Sequence, residues 1–137
     1  MTLEQYYRKY RRKGWLAHRA IHAARTLVEW DKHEGMDVKL DIEPDDIVDM
    51  DDLKGDCFNP KYVDHISPNR LKRQEKEFEQ RVYDEGVWGI VARVKCEHCG
   101  KWHVAASVWG FVGSDVEGSG YDIDIMSEAL DEMRGTT

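Results

Sequence analysis

Two runs of alternating residues decide the fold: VWGIVARVKC (residues 87–96) and KWHVAASVWGFV (residues 101–112). In the first run, apolar residues recur at every second position, as in a β-strand with a buried face. In the second run both alternating sets are fairly apolar, which is typical of a strand in the middle of a sheet. Because only a short segment around Cys99 separates the runs, they are predicted to form an antiparallel hairpin.

Periodicity, glycines and prolines outside the hairpin predict four helical segments and one more strand. They are a helix over residues 3–33 divided at Gly14, a strand over 38–42, a short helix from Pro44 to Gly55, a charged surface helix over 69–84, and a helix over 122–134. The predicted fold class is α+β: a three-stranded antiparallel sheet with a central hairpin, on which the long N-terminal and the C-terminal helix pack.

Length and composition predict one domain of 137 residues, interrupted by a loop or insertion at about residues 56–68. No apolar run approaches the roughly 20 residues that span a bilayer, so no membrane contact is expected. The first residues include no apolar stretch behind their basic cluster, and three cysteines do not form a secreted disulfide framework. We therefore expect a cytoplasmic protein, and the sequence leaves its oligomeric state open.

The net charge of −7 is unevenly distributed. Residues 1–35 carry a net charge of +4, residues 36–66 carry −7 and residues 114–137 carry −6. Such segregation suggests charged partners, although solvated surfaces would show it too.

The sharpest motif is the turn CEHCGKWH at residues 96–103. Two thiolates at this spacing can reach one tetrahedral zinc ion, and glycine permits the reversal of the backbone. A closed site needs four ligands, so we predict a zinc site made of Cys57, Cys96, Cys99 and His103. A free dithiol is the main alternative; redox chemistry is disfavoured because the motif lies between strands instead of opening a helix.

Three further clusters could contact a partner. The N-terminal cluster mixes cations with aromatic rings, which suits phosphate contact and base stacking. The acidic segments 37–56 and 115–132 could bind a basic groove. His18 and His22 lie one helical turn apart, a spacing at which two histidines can bind one metal ion. The residues selected are Tyr6, Arg8, Lys9, Arg11, Arg12 and Lys13 for nucleic acid, and Asp45, Asp46, Asp49, Asp51, Asp52, Asp122 and Asp124 for a partner protein.

Residues 87–130 resemble small uncharacterised proteins of bacteriophages and other bacterial mobile elements. Those proteins similarly place a Cys-x-x-Cys-Gly turn before a Trp-Gly-Phe-x-Gly segment, here residues 109–113, followed by Ser-Gly-Tyr, here residues 119–121, and a short acidic helix. The resemblance implies origin and no activity: small phage proteins often bind and inhibit a host machine.

Three functions follow as hypotheses. The first is a non-enzymatic phage or mobile-element protein that uses acidic surface to bind and inhibit a host protein complex of defence or nucleic-acid processing, such as CRISPR or restriction. The second is a zinc-stabilised accessory protein that binds nucleic acid through its basic N-terminal helix. The third and weakest is a metal-dependent nuclease using His18, His22 and the Asp45–Asp52 cluster, which no catalytic motif joins.

Overall fold

The structure, a computed structural model, describes residues 1–46 and 49–135, without the side chains of residues 117 and 118. Its helices and strands follow the predicted order, with one additional short helix. They are α1 Leu3–Arg12, α2 Ala17–His33, β1 Val38–Pro44, α3 Met50–Lys54, α4 Pro68–Glu85, β2 Val87–Lys95, β3 Trp102–Val112, α5 Asp115–Gly118 and α6 Tyr121–Arg134.

The N-terminal helical region divides where the glycine predicts. Thr2 and Gln5 cap the start of α1 reciprocally, the Thr2 side chain accepting from the Gln5 amide and the Gln5 side chain from the Thr2 amide. Gly14 adopts φ +92°, a conformation that other residues rarely take, and so separates α1 from α2. Helix α4 also begins with a cap: Ser67 is the N-cap and Pro68 is the first helical residue.

The predicted α+β class and three-stranded antiparallel sheet are confirmed. The strand order is β1-β2-β3, so β2 is the central strand and β3 lies at an edge. The register is fixed at both ends of β2: the Lys95 amide donates to the Asp37 carbonyl, and the Asp45 amide donates to the Val87 carbonyl. The central strand is accordingly buried at most positions, whereas Val104 and Trp109 of β3 are exposed, as an edge strand allows.

The chain separates into two compact units. The described residues of unit 1 lie within Met1–Asp41, Ile90–Val108 and Ser119–Thr137, and those of unit 2 within Ile42–Gly89 and Trp109–Gly118. The core of unit 1 is built from aliphatic and aromatic side chains of α2, β2 and α6, among them Ala20, Ala23, Trp30, Ile90, Val91, Ile123, Met126 and Leu130. Unit 2 buries Leu71, Val87, Val112 and Val116. The single-domain prediction stays a prediction; residues 56–67 hold no helix or strand, as their composition indicates.

Three local predictions are wrong. The apolar pattern on both faces of β3 predicted a central strand, but β3 lies at the edge of the sheet. The short helix does not begin at Pro44, which ends β1; α3 begins at Met50 because the Asp49 side chain caps its first turn. Residues 47 and 48, within the predicted helix, lie outside the described residues. The stretch from Gly113 to Gly120, expected as a loop, contains the one-turn helix α5 because Val116, only 6% exposed, belongs to the core of unit 2.

Candidate functional site

The acidic residues of unit 2 surround the start of α3. Asp45 and Asp46 directly follow β1, and Asp49 caps α3 by accepting a hydrogen bond from the Asp51 amide over 3.1 Å. Aspartates are favoured here because their carboxylates complement the positive end of a helix. Asp45 is half-buried, whereas the side chains of Asp46, Asp49, Asp51 and Asp52 are exposed. We call these four exposed residues the α3 acidic cluster.

Among the described residues, no cation of unit 2 forms an ion pair with the α3 acidic cluster, although the charge of Lys54 acts on Asp51. Lys54, at the end of α3, pairs instead with Glu79 of α4, with 2.7 Å between Lys54 Nζ and Glu79 Oε1. Arg81 is held by Asp115 and Glu85, at 2.8 Å and 2.7 Å. Within residues 1–46 and 49–135, no basic side chain forms an ion pair with a member of the cluster. Four carboxylates thus remain available to an external cation.

A second acidic surface lies on α6 in unit 1. Asp124 and Glu128 are exposed, stand one turn apart, and line an open groove of about 480 Å³ together with His22 of α2. Asp122 is half-buried, and its charge adds to the effect of burial in raising the pKa of Tyr10. The predicted residues Asp122 and Asp124 therefore differ in surroundings: only Asp124 faces solvent freely.

The basic N-terminal helix offers cations, but its aromatic rings are engaged. Tyr10 is 7% exposed and packs on Trp15, with 4.6 Å between ring centroids. The Tyr6 hydroxyl donates to Asp31 Oδ2, and this hydrogen bond, with burial and the Asp31 charge, raises the pKa of Tyr6 to about 12. The buried Tyr10 ring is therefore closed to a base, whereas the half-buried Tyr6 is held through its hydroxyl.

The cations of the same helix divide into engaged and free groups. Arg8 pairs with Glu4, and Arg11 donates to the Trp15 carbonyl oxygen over 2.8 Å. Lys9 and Lys13 lie 6.0 Å and 5.3 Å from the centroid of the Tyr10 ring. Arg12 is exposed and, in the part of the chain that the structure describes, has no carboxylate partner. The helix thus retains a positive surface on which Arg12 is an exposed cation without a described carboxylate partner.

The Cys96–Cys99 turn adopts a knuckle shape. The Cys96 amide donates to the Lys101 carbonyl and the Gly100 amide to the Cys96 carbonyl, each over 2.9 Å, which closes the turn. Hydrogen bonds from the Cys99 amide, the Cys99 thiol and the His98 amide lower the pKa of the Cys96 thiol. Such bonds favour the thiolate, the form that reacts and that binds metals.

The predicted four-ligand zinc site is not gathered in the described residues. They contain no group of three or more His, Cys, Asp or Glu side chains placed to hold a metal ion. Cys57 is exposed in the turn after α3, in unit 2, whereas the other three ligands belong to unit 1. His103 Nε2 lies 3.1 Å from Glu132 Oε1. Zinc binding by Cys57, Cys96, Cys99 and His103 stays a prediction.

The residues proposed for a nuclease are distributed over both units. His18 and His22 are exposed on α2 in unit 1, and the Asp45–Asp52 segment belongs to unit 2. His22 lines the α6 groove with Asp124 and Glu128, but these side chains are not placed to hold a metal ion together. The histidines and the aspartates therefore supply no joined set of catalytic groups within one unit.

Sequence reasoning did not identify the most connected polar side chain, Arg81. Its guanidinium donates to both oxygens of Asp115, to Glu85 and to the Val112 carbonyl oxygen. The link to Asp115 spans 34 residues, and no periodic pattern signals a contact at that separation.

Comparison with known proteins adds no relative: no family model, no curated protein and no solved structure matches this chain. Among the described residues, no helix is long and apolar enough to cross a membrane. The function must therefore be argued from the surfaces described above.

Proposed function

We propose that this chain is a non-enzymatic interaction protein of phage or mobile-element origin, acting in the host cytoplasm. It binds and inhibits a host protein complex of defence or nucleic-acid processing, of the CRISPR or restriction type, through acidic surface. The observation that carries the proposal is the α3 acidic cluster: four exposed carboxylates that form no ion pair with a described basic side chain.

The recognition chemistry is substitution of carboxylates for phosphates. Nucleic-acid-processing proteins present grooves of arginine and lysine, and arginine accepts a carboxylate in the same bidentate geometry as a phosphate. Asp51 and Asp52 occupy the first turn of α3, and Asp49 precedes them, so the helix presents adjacent negative charges at a fixed spacing. Occupying a basic groove in this way excludes the nucleic acid, which is sufficient for inhibition without catalysis.

Rigidity favours this surface over a disordered acidic tail. Asp49 is held by its cap hydrogen bond, and Lys54 fastens the far end of α3 to Glu79 of α4. Because α3 is held at both ends, its backbone fixes the spacing of Asp51 and Asp52, and association loses less backbone entropy than it would for a flexible segment. The α6 surface with Asp124 and Glu128 offers a second, smaller contact of the same sign.

The test uses binding of the purified chain to purified CRISPR effectors and restriction enzymes at increasing salt concentration. A triple variant, Asp46→Asn/Asp51→Asn/Asp52→Asn, removes three charges but keeps the Asp49 cap. A matched control, Asp64→Asn/Glu77→Gln/Asp84→Asn, removes three exposed charges elsewhere in unit 2. We expect affinity that falls with salt, is lost in the first variant and is retained in the control. Salt-insensitive binding, or equal loss in both variants, would refute the acidic-surface mechanism.

A second candidate function, nucleic-acid binding by the N-terminal helix, is favoured by one observation, the exposed Arg12 without a described carboxylate partner. It predicts retention of DNA or RNA at low salt that Arg12→Ala weakens. Absence of retention by the intact chain would exclude it.

A further inference from the structure

The two thiols of the Cys96–Cys99 turn lie together at the tip of the β2–β3 hairpin. Cys96 directly follows β2 and is partly exposed, and Cys99 is exposed. The Cys99 thiol is within hydrogen-bonding reach of the Cys96 sulfur, while the amides of His98 and Cys99 point at that same sulfur. Gly100, at φ +70°, turns the chain back toward β3. The turn thus presents two neighbouring sulfur ligands outward, on a backbone already folded around them.

Two sulfur ligands are half of a zinc site. Structural zinc is almost always tetrahedral with four protein ligands, and cysteine pairs at this spacing supply two of them. Around this turn, the described residues supply no third histidine, cysteine or carboxylate placed to complete the site. The predicted ligand His103 contacts Glu132 of α6 through Nε2, and it is not grouped with the two thiols. The described residues thus place two of the four ligands at this turn, and a second molecule could supply the other two.

The charges at the hairpin tip would offset the negative charge of a zinc–thiolate centre shared by two copies of this chain. Lys95 and Lys101 flank the turn and are exposed, with Glu97 between them, so the tip is net positive on a chain of net charge −7. A zinc ion with four thiolates carries a charge of −2. Two tips contribute a net charge of +2, which neutralises that centre.

We propose that the paired Cys96 and Cys99 thiols at the exposed hairpin tip form half of a zinc site that a second copy of this chain completes, giving one Zn²⁺ bound by four thiolates between two chains. Each thiol gives up its proton as its sulfur binds the metal, and no electron is transferred. The twofold arrangement is closed, because both copies use the same residues and leave no half-site free. This site is independent of the α3 acidic cluster.

The test combines zinc analysis with mass measurement on the full chain. The protein is purified without chelator in a phosphine reductant, supplied with ZnCl₂, and passed through a sizing column with light-scattering detection. We expect one zinc per two chains and a dimer, and we expect EDTA to return metal-free monomer. Replacing zinc by cobalt should give the absorption spectrum of tetrahedral tetrathiolate coordination.

Three variants distinguish this site from other sources of binding. Cys96→Ser and Cys99→Ser should each abolish both zinc retention and the dimer, whereas Cys57→Ser should retain both. Since all three positions are partly or fully exposed, the variants should remain folded, which circular dichroism checks. One zinc per monomeric chain, a zinc-free chain, dimerisation without zinc or through a disulfide, or loss of the dimer in Cys57→Ser would each overturn the proposal.

Discussion

Gly89 is a position where adding a single methyl group should lower stability measurably. It lies in the central strand β2, and a Cβ built on it would stand 2.2 Å from Cε3, 2.5 Å from Cδ2 and 2.7 Å from Cζ3 of Trp109. Carbon atoms in contact are normally about 3.5–4.0 Å apart. The Trp109 ring on β3 therefore lies directly on Gly89, and Gly89→Ala requires this ring to move by more than about 1 Å.

The packing around Gly89 indicates how far Gly89→Ala should lower the free energy of unfolding. Inserting a methyl group into a filled site costs about 1–3 kcal/mol, and alanine regains about 0.5–1 kcal/mol over glycine in a strand. Because Trp109 is 45% exposed, its ring can tilt toward solvent and relieve part of the overlap. We expect a net loss of about 1–2 kcal/mol in the free energy of unfolding, which lowers Tm by roughly 3–8 °C for a chain of this length.

Urea denaturation followed by circular dichroism measures this loss, and a double-mutant cycle identifies its source. In a Trp109→Ala background the overlap is absent, so Gly89→Ala should be neutral or slightly stabilising. Equal destabilisation in both backgrounds, or no destabilisation in the parent chain, would refute the contact between Gly89 and Trp109.

Three further predictions concern other contacts. Arg81→Gln should lower Tm clearly more than Arg8→Gln, because Arg81 joins α4 to Asp115 and the Val112 carbonyl oxygen, whereas Arg8 forms one exposed pair; differential scanning fluorimetry compares the two. Tyr6→Phe should make the free energy of unfolding less sensitive to alkaline pH, because a tyrosine whose folded pKa is about 12 loses its stabilising effect as the pH rises from 10 to 12. Plots of the free energy of unfolding against pH for the parent chain and the variant should therefore converge across that window. Parallel plots would exclude the Tyr6–Asp31 hydrogen bond as the cause. The lowered pKa of Cys96 predicts that its alkylation by iodoacetamide, followed by peptide mass spectrometry on metal-free protein, reaches half its maximal rate at a pH below that of an ordinary cysteine; a midpoint at or above the ordinary value would contradict the hydrogen bonds to its sulfur.

The sequence predicts the elements that periodicity and turn chemistry specify locally. Alternation identifies β2 and β3, and Gly14 marks the break between α1 and α2. The order of the strands is less accessible, because an apolar pattern on both faces of β3 predicted a central position for a strand that lies at an edge. The start of α3 was also misplaced: Pro44 and Asp49 are both good helix-start signals, and only the hydrogen bond at Asp49 decides between them.

The packing of the glycines shows why contacts between distant residues are hard to predict. The Trp109 ring lies on Gly89 of the neighbouring strand, and a Cβ built on Gly120, which precedes α6, would stand 3.2 Å from the Trp15 ring. The residue types were informative, but the identity of the partner depends on the three-dimensional arrangement.

In the candidate sites, too, local features could be predicted from the sequence, whereas contacts between distant residues could not. The knuckle shape of the Cys96–Cys99 turn follows from its local sequence, whereas the proposed ligand Cys57 belongs to another unit of the chain. The acidic segment was visible in the charge distribution. That Lys54 pairs with Glu79 instead of with a member of the α3 acidic cluster could be learned only from the folded chain.

The most direct test of the proposed function is phage plating on bacteria that carry an active CRISPR or restriction system. Cells expressing the chain should lose immunity to a targeted phage, cells expressing Asp46→Asn/Asp51→Asn/Asp52→Asn should keep it, and the matched control variant should behave as the parent chain. Unchanged immunity with every system tested, or equal inhibition by the triple variant, would contradict an inhibitor that acts through the α3 acidic cluster.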